Sequence, residues 1–88
     1  MNKFYYQLRG PFNASEDILN KIKQENSSFE YASKIGIQAK PTTMVQINGR
    51  DFEIGKTGIL EFSEEEINSI IFNTAQNNLC IIDLIIKS

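Results

Sequence analysis

Gly55-Lys56-Thr57 is the triplet in this 88-residue chain that most resembles a phosphate-binding loop. Such a loop needs four residues between its first glycine and Gly-Lys-Thr, and it must open a helix whose amides face the phosphate. Five residues, Arg50 through Ile54, separate Gly49 from Gly55, and Ile59-Leu60-Glu61-Phe62 follows as a strand pattern. The segment therefore reads as a tight turn, and no nucleotide is expected to bind it. Glu64, Glu65 and Glu66 offer carboxylates to a hard cation, but a calcium loop spaces its oxygen ligands around a glycine. That run reads instead as a solvated segment or a helix start. Asp51, Glu53 and Glu61 invite comparison with a glycosidase pair, yet any short chain with eleven acids offers such pairs. There is no histidine, which removes the usual zinc sites and histidine acid–base chemistry. Cys80, the single cysteine, lies in an apolar run with no base to lower its pKa, so it reads as a small buried core residue. Asn13-Ala14-Ser15 and Asn26-Ser27-Ser28 match glycosylation acceptors, which matter only in a secreted chain. The expectation is a protein that is not an enzyme, with no catalytic residues, no metal and no cofactor.

The chemistry that remains is recognition. In Lys3 to Arg9, Phe4, Tyr6 and Leu8 alternate with Lys3, Tyr5, Gln7 and Arg9, the period-two pattern of a half-buried strand. With Phe4, Tyr6 and Leu8 facing the core, Tyr5 points outward. Aromatic residues are enriched at interfaces. Tyr5, with Gln7 and Arg9 on its face, is therefore the expected partner contact.

The elements that must position this strand follow from the rest of the chain. Apolar residues make up 41% and charged residues 23%, which suits a single globular domain over residues 1–88. No apolar run reaches the roughly 18 residues of a membrane span, and no apolar signal core follows Met1, so no membrane is expected. Nine basic against eleven acidic residues give a net charge of −2, which argues against a nucleic-acid partner. Isoleucine occurs fourteen times, and β-branched side chains favour strands. Asn13 to Asn26 reads as the one helix, capped by Asn13 with Glu16, or by Ser15, with Ile18, Leu19 and Ile22 as its apolar stripe. Phe29 to Ala39 returns to strand, and Lys40-Pro41-Thr42 turns. Asn48-Gly49 predicts a type I′ hairpin over Thr43 to Ile54 that pairs Ile47 with Arg50 and Val45 with Phe52. Ile59 to Phe62 is a strand, Ser63 to Glu66 at most a helical turn, and Ile67 to Phe72 a strand. Asn73 to Asn78 is a polar loop. Leu79 to Ile86, a nearly continuous apolar run, predicts a central strand covered on both faces, with Asp83 needing a partner if buried. The fold expected is mainly β: a small antiparallel β-sandwich or barrel with one short N-terminal helix.

The segments Lys34-Ile35-Gly36-Ile37-Gln38-Ala39-Lys40-Pro41, Ile54-Gly55-Lys56-Thr57-Gly58-Ile59 and Ile67-Asn68-Ser69-Ile70 occur in that order. With the apolar end at Leu79 to Ile86, they resemble a family of small virion-associated structural proteins of bacteriophages and prophages of Gram-positive bacteria. Thr42-Thr43 and Leu60 depart from that pattern, which has Gly-Thr and Tyr there. The resemblance spans residues 34–86 and leaves Lys3 to Arg9 outside. It implies a tail, baseplate or related virion component that acts through protein–protein contacts and carries no catalytic residues. The implied partners are other phage virion proteins or a host protein, with self-assembly, in the virion or the host cytoplasm. The alternative is a small phage-encoded inhibitor of a host defence system, an anti-CRISPR-like binder, although such charge mimics are usually more acidic than −2.

Overall fold

The structure is a computed structural model, which describes residues 3–87. Strand-forming isoleucines and well-placed turns give two antiparallel sheets. The first has the order β1 (Lys3–Arg9), β7 (Ile81–Lys87), β2 (Tyr31–Gln38), β5 (Ile59–Ile67). The second has the order β4 (Arg50–Glu53), β3 (Met44–Ile47), β6 (Ile70–Phe72). One short helix, α1 (Leu19–Glu25), completes the described elements. Both sheets feed a single buried cluster that includes Ile35, Ile37, Ile82 and Leu84 from the first and Val45, Ile47 and Phe72 from the second. Neither sheet closes on itself. No helix of the described residues is long and apolar enough to cross a membrane.

The hairpin forms as the turn dipeptide predicts. Asn48 and Gly49 have φ of 53° and 80°, and the register sets Val45 against Phe52 and Ile47 against Arg50. The hairpin tip is then fastened to the first sheet. Asn48 Nδ2 donates to Glu64 Oε2 at 2.7 Å and to the Glu66 carbonyl at 2.8 Å, and its Oδ1 accepts from the Asn68 amide at 2.8 Å. Arg50 pairs with Glu64 at 2.5 Å and lies over the rings of Phe52 and Phe62.

Three expectations need correction. The helix begins at Leu19 rather than Asn13. The stretch before it is a turn held beside β6 by an isolated bridge, Asp17 to Ile71, and by the amides of Ser15 and Ile18, which donate to the Phe72 and Ile70 carbonyls at 2.9 and 2.8 Å. Those tertiary bonds outweigh the local capping signal. Asn13 bonds to the Glu16 side chain, and Ser15 has a positive φ of 63°. Asp17 is the residue that accepts the Leu19 amide, at 3.1 Å. The stripe itself, Ile18, Leu19 and Ile22, is fully buried. Second, Ser63 to Glu66 is no helical turn but the far half of β5, which runs unbroken to Ile67, and the next strand starts only at Ile70. Extended backbone there lets Glu64 reach both Asn48 and Arg50. Third, β7 is central, between β1 and β2, yet only one face is buried. Ile82, Leu84 and Ile86 fill the core, while Ile81, Asp83, Ile85 and Lys87 stand half-exposed on the other side.

Candidate docking face

The outward face of the first sheet is assembled by register alone. Antiparallel pairing sets Tyr5 opposite Ile85, Gln7 opposite Asp83 and Arg9 opposite Ile81. On the other side of β7, Lys34, Gly36 and Gln38 oppose Ile85, Asp83 and Ile81. Ser63, Glu61 and Ile59 on β5 complete the rows. Directly paired residues share a face, so these rows form one surface. Its middle row runs Gln7, Asp83, Gly36, Glu61.

Gly36 is what gives this surface relief. A Cβ built there would meet nothing within 4 Å, so the strand leaves an open dip at its centre. Tyr5, Lys34, Ile59 and Ile85 rise around that dip and, with Asp83 and Glu61, line a groove of about 450 Å³. Two of its walls are large exposed apolar groups, Tyr5 at 60% and Ile59 at 52% exposure.

Asp83 holds the β1 side of the groove in place. The Tyr5 hydroxyl donates to Asp83 Oδ1 at 2.5 Å, and Gln7 Nε2 donates to the same oxygen at 2.8 Å and to the Tyr5 oxygen at 3.2 Å. Donation by Tyr5, then by Gln7, favours the Asp83 carboxylate and holds its pKa below the usual range. The same bond to Asp83 is the main reason that the Tyr5 phenol is raised. Asp83 thus has the partner its place in an apolar run calls for, and the outward phase expected for Tyr5, Gln7 and Arg9 is seen. Tyr5 and Gln7 are brought together through Asp83. Arg9 lies one row away, beside Ile81, and takes no part in that cluster.

The other sequence candidates fall elsewhere. Gly55-Lys56-Thr57 sits in a turn closed by the Gly58 amide on the Gly55 carbonyl at 2.9 Å, and β5 follows directly. Asp51 and Glu53 are exposed on β4 in the second sheet, whereas Glu61 belongs to the first. No group of three or more His, Cys, Asp or Glu side chains suited to a metal ion occurs among the described residues. Cys80 is buried, and burial raises its thiol to about 11. Gly36, Lys34, Ile59 and Ile85 were not legible as site residues. A usable signal was present: an isolated glycine inside a strand of isoleucines marks a bulge, a bend or a close approach.

No protein-family model, curated protein or solved structure matches this chain.

Proposed function

We propose that this chain is a non-catalytic assembly protein, a tail, baseplate or related virion component, that docks another protein subunit on the outward face of its first sheet. The observation that carries the docking reading is the groove floored by Gly36 and walled by exposed Tyr5 and Ile59. Aromatic side chains such as Tyr5 are enriched at protein interfaces relative to the rest of the surface. The virion setting draws its support from the resemblance of residues 34–86. The two sheets are read as the layers of a small sandwich, because the buried side chains of both meet in one cluster.

The test has two arms. Particles purified from the strain that carries the gene are assayed by quantitative mass spectrometry, with a fixed copy number per particle expected. Absence from particles, with the chain found on a host defence complex, would replace the virion setting with the inhibitor reading. Tyr5→Ala and Gly36→Val are then scored for incorporation against melting temperature. Truncating an aromatic that acts as an interface hot spot costs about 2 kcal/mol or more, roughly thirtyfold in affinity. Folded variants that incorporate like the parent protein would remove this face as the contact.

A further inference from the structure

The two outer edges of the first sheet differ in charge. β1 carries Lys3 and Arg9 and no acid, whereas β5 carries Glu61, Glu64, Glu65 and Glu66 and no base. Among the described residues, no strand pairs with the outer side of β1 or with that of β5. At the far end of β5 Asn48 takes the Glu66 carbonyl, so the accessible stretch is Ile59 to Glu65. All neighbouring strands in β1-β7-β2-β5 are antiparallel. Continuing the sheet with a second copy in the same orientation therefore brings its β1 antiparallel to β5 of the first.

We propose that the chain assembles head to tail with copies of itself, β1 of one copy pairing with β5 of the next. This deepens the assembly reading and rests on it. One register satisfies both faces: Leu8 of the added copy lies opposite Leu60, Tyr6 opposite Phe62, Gln7 opposite Glu61, and Arg9 opposite Ile59. The four inner residues of that set, Leu8, Tyr6, Leu60 and Phe62, are apolar groups left only partly buried at the two edges of the core. The added copy covers them. On the outer face Arg9 comes diagonal to Glu61, close enough for long side chains to interact, and Lys3 approaches exposed Glu65. The two symmetric alternatives are disfavoured by charge. A two-fold β1–β1 pairing centred on Tyr6 sets Lys3 against Arg9, and a β5–β5 pairing gathers the acids. A heterologous contact of this kind closes into a ring or grows into a filament. Either carries the Gly36 grooves along one continuous face.

The test uses the full chain and two double variants, Lys3→Glu with Arg9→Glu and Glu61→Lys with Glu65→Lys, each checked for its fold by circular dichroism. Light scattering up to millimolar concentration should show the parent protein growing beyond a dimer, with growth weakened by salt. Each double variant alone faces like charge at both edges and should associate roughly tenfold or more weakly. Mixed in equal amounts, the two variants restore opposite charge at every contact and should regain the parent mass. A strictly monomeric parent, a closed dimer, or a mixture no larger than its components overturns the proposal. A chain that stays monomeric alone yet enters particles leaves the docking reading standing and removes only head-to-tail pairing.

Discussion

Asn48→Ala is the change whose cost can be worked most directly from the fold. Asn48 has two roles. It sits at φ 53°, where side chains other than Asn, Asp and Gly are strained, and it ties the hairpin tip to β5. Alanine removes three hydrogen bonds, to Glu64, the Glu66 carbonyl and the Asn68 amide. The site is half-buried, so water partly replaces them and each is counted at about 0.5 to 1 kcal/mol. That gives about 2 kcal/mol. Holding alanine in the left-handed region adds about 1 kcal/mol. The expected loss is therefore about 3 kcal/mol, a large share of the roughly 5 to 15 kcal/mol that stabilises a small domain. Because 1 kcal/mol moves the melting temperature of a chain this size by about 4–8 °C, a drop of more than about 10 °C follows. Asn48→Gly loses the same three bonds without the left-handed strain, and is expected to fall between Asn48→Ala and the parent protein. Urea unfolding at neutral pH measures both. A loss below about 1 kcal/mol for Asn48→Ala would refute the claim that the tip is fastened through this side chain.

Gly10→Ala should unfold the chain or cost several kcal/mol, since its Cβ would lie 2.1 Å from the Asn77 carbonyl oxygen; an unchanged melting temperature would contradict that contact. Gly36→Ala, by contrast, should leave the melting temperature unchanged or raise it slightly, because the added methyl meets nothing and the strand interior prefers a side chain. Tyr5→Phe should raise the Asp83 pKa toward the usual carboxylate range, read by carboxyl carbon NMR titration. A folded carboxylate held low favours the fold above its unfolded pKa, a contribution lost as pH falls through the folded value. Tyr5→Phe should therefore flatten the acid limb of the stability–pH curve. Cys80, with its thiol raised to about 11 by burial, should react with a thiol reagent at pH 8 only at the rate of unfolding; fast labelling of the native protein would mean that the site is open.

What could be read from the chain in advance was whatever local geometry decides. Asn48-Gly49 settles both a turn and a register, because only a few residue types accept two consecutive positive φ values. The period of two in Lys3 to Arg9 gives the strand's phase, since a slip by one would exchange Tyr5 for Tyr6 in the core. Two of the failures share one cause. Asn13 with Glu16, and Ser63 with Glu66, both match the spacing of a helix cap, and neither segment is helical, because partners distant in sequence bind them. For the first these are the carbonyls of Phe72 and Ile70, and for the second Asn48 and Arg50. Capping is worth about 1 kcal/mol, less than the several tertiary bonds that compete with it.

β7 is the instructive case, because its sequence reads as a strand covered twice and the chain covers it once. Ile82, Leu84 and Ile86 are sealed in the core, yet Ile81 and Ile85 repeat the same β-branched chemistry on a face where alternation would place polar residues. A solvated face has no need of them, and Thr, which is also β-branched, would form the strand there. The polar break in that row, Asp83, is neutralised in its hydrogen bonding by Tyr5 and Gln7, which leaves the row half-exposed but internally satisfied. Beside it, Gly36 gives up β-propensity without any backbone requirement for glycine. Excess apolar groups and a missing side chain, in adjacent strands and on one face, are two costs to the isolated fold that a single docked surface would offset.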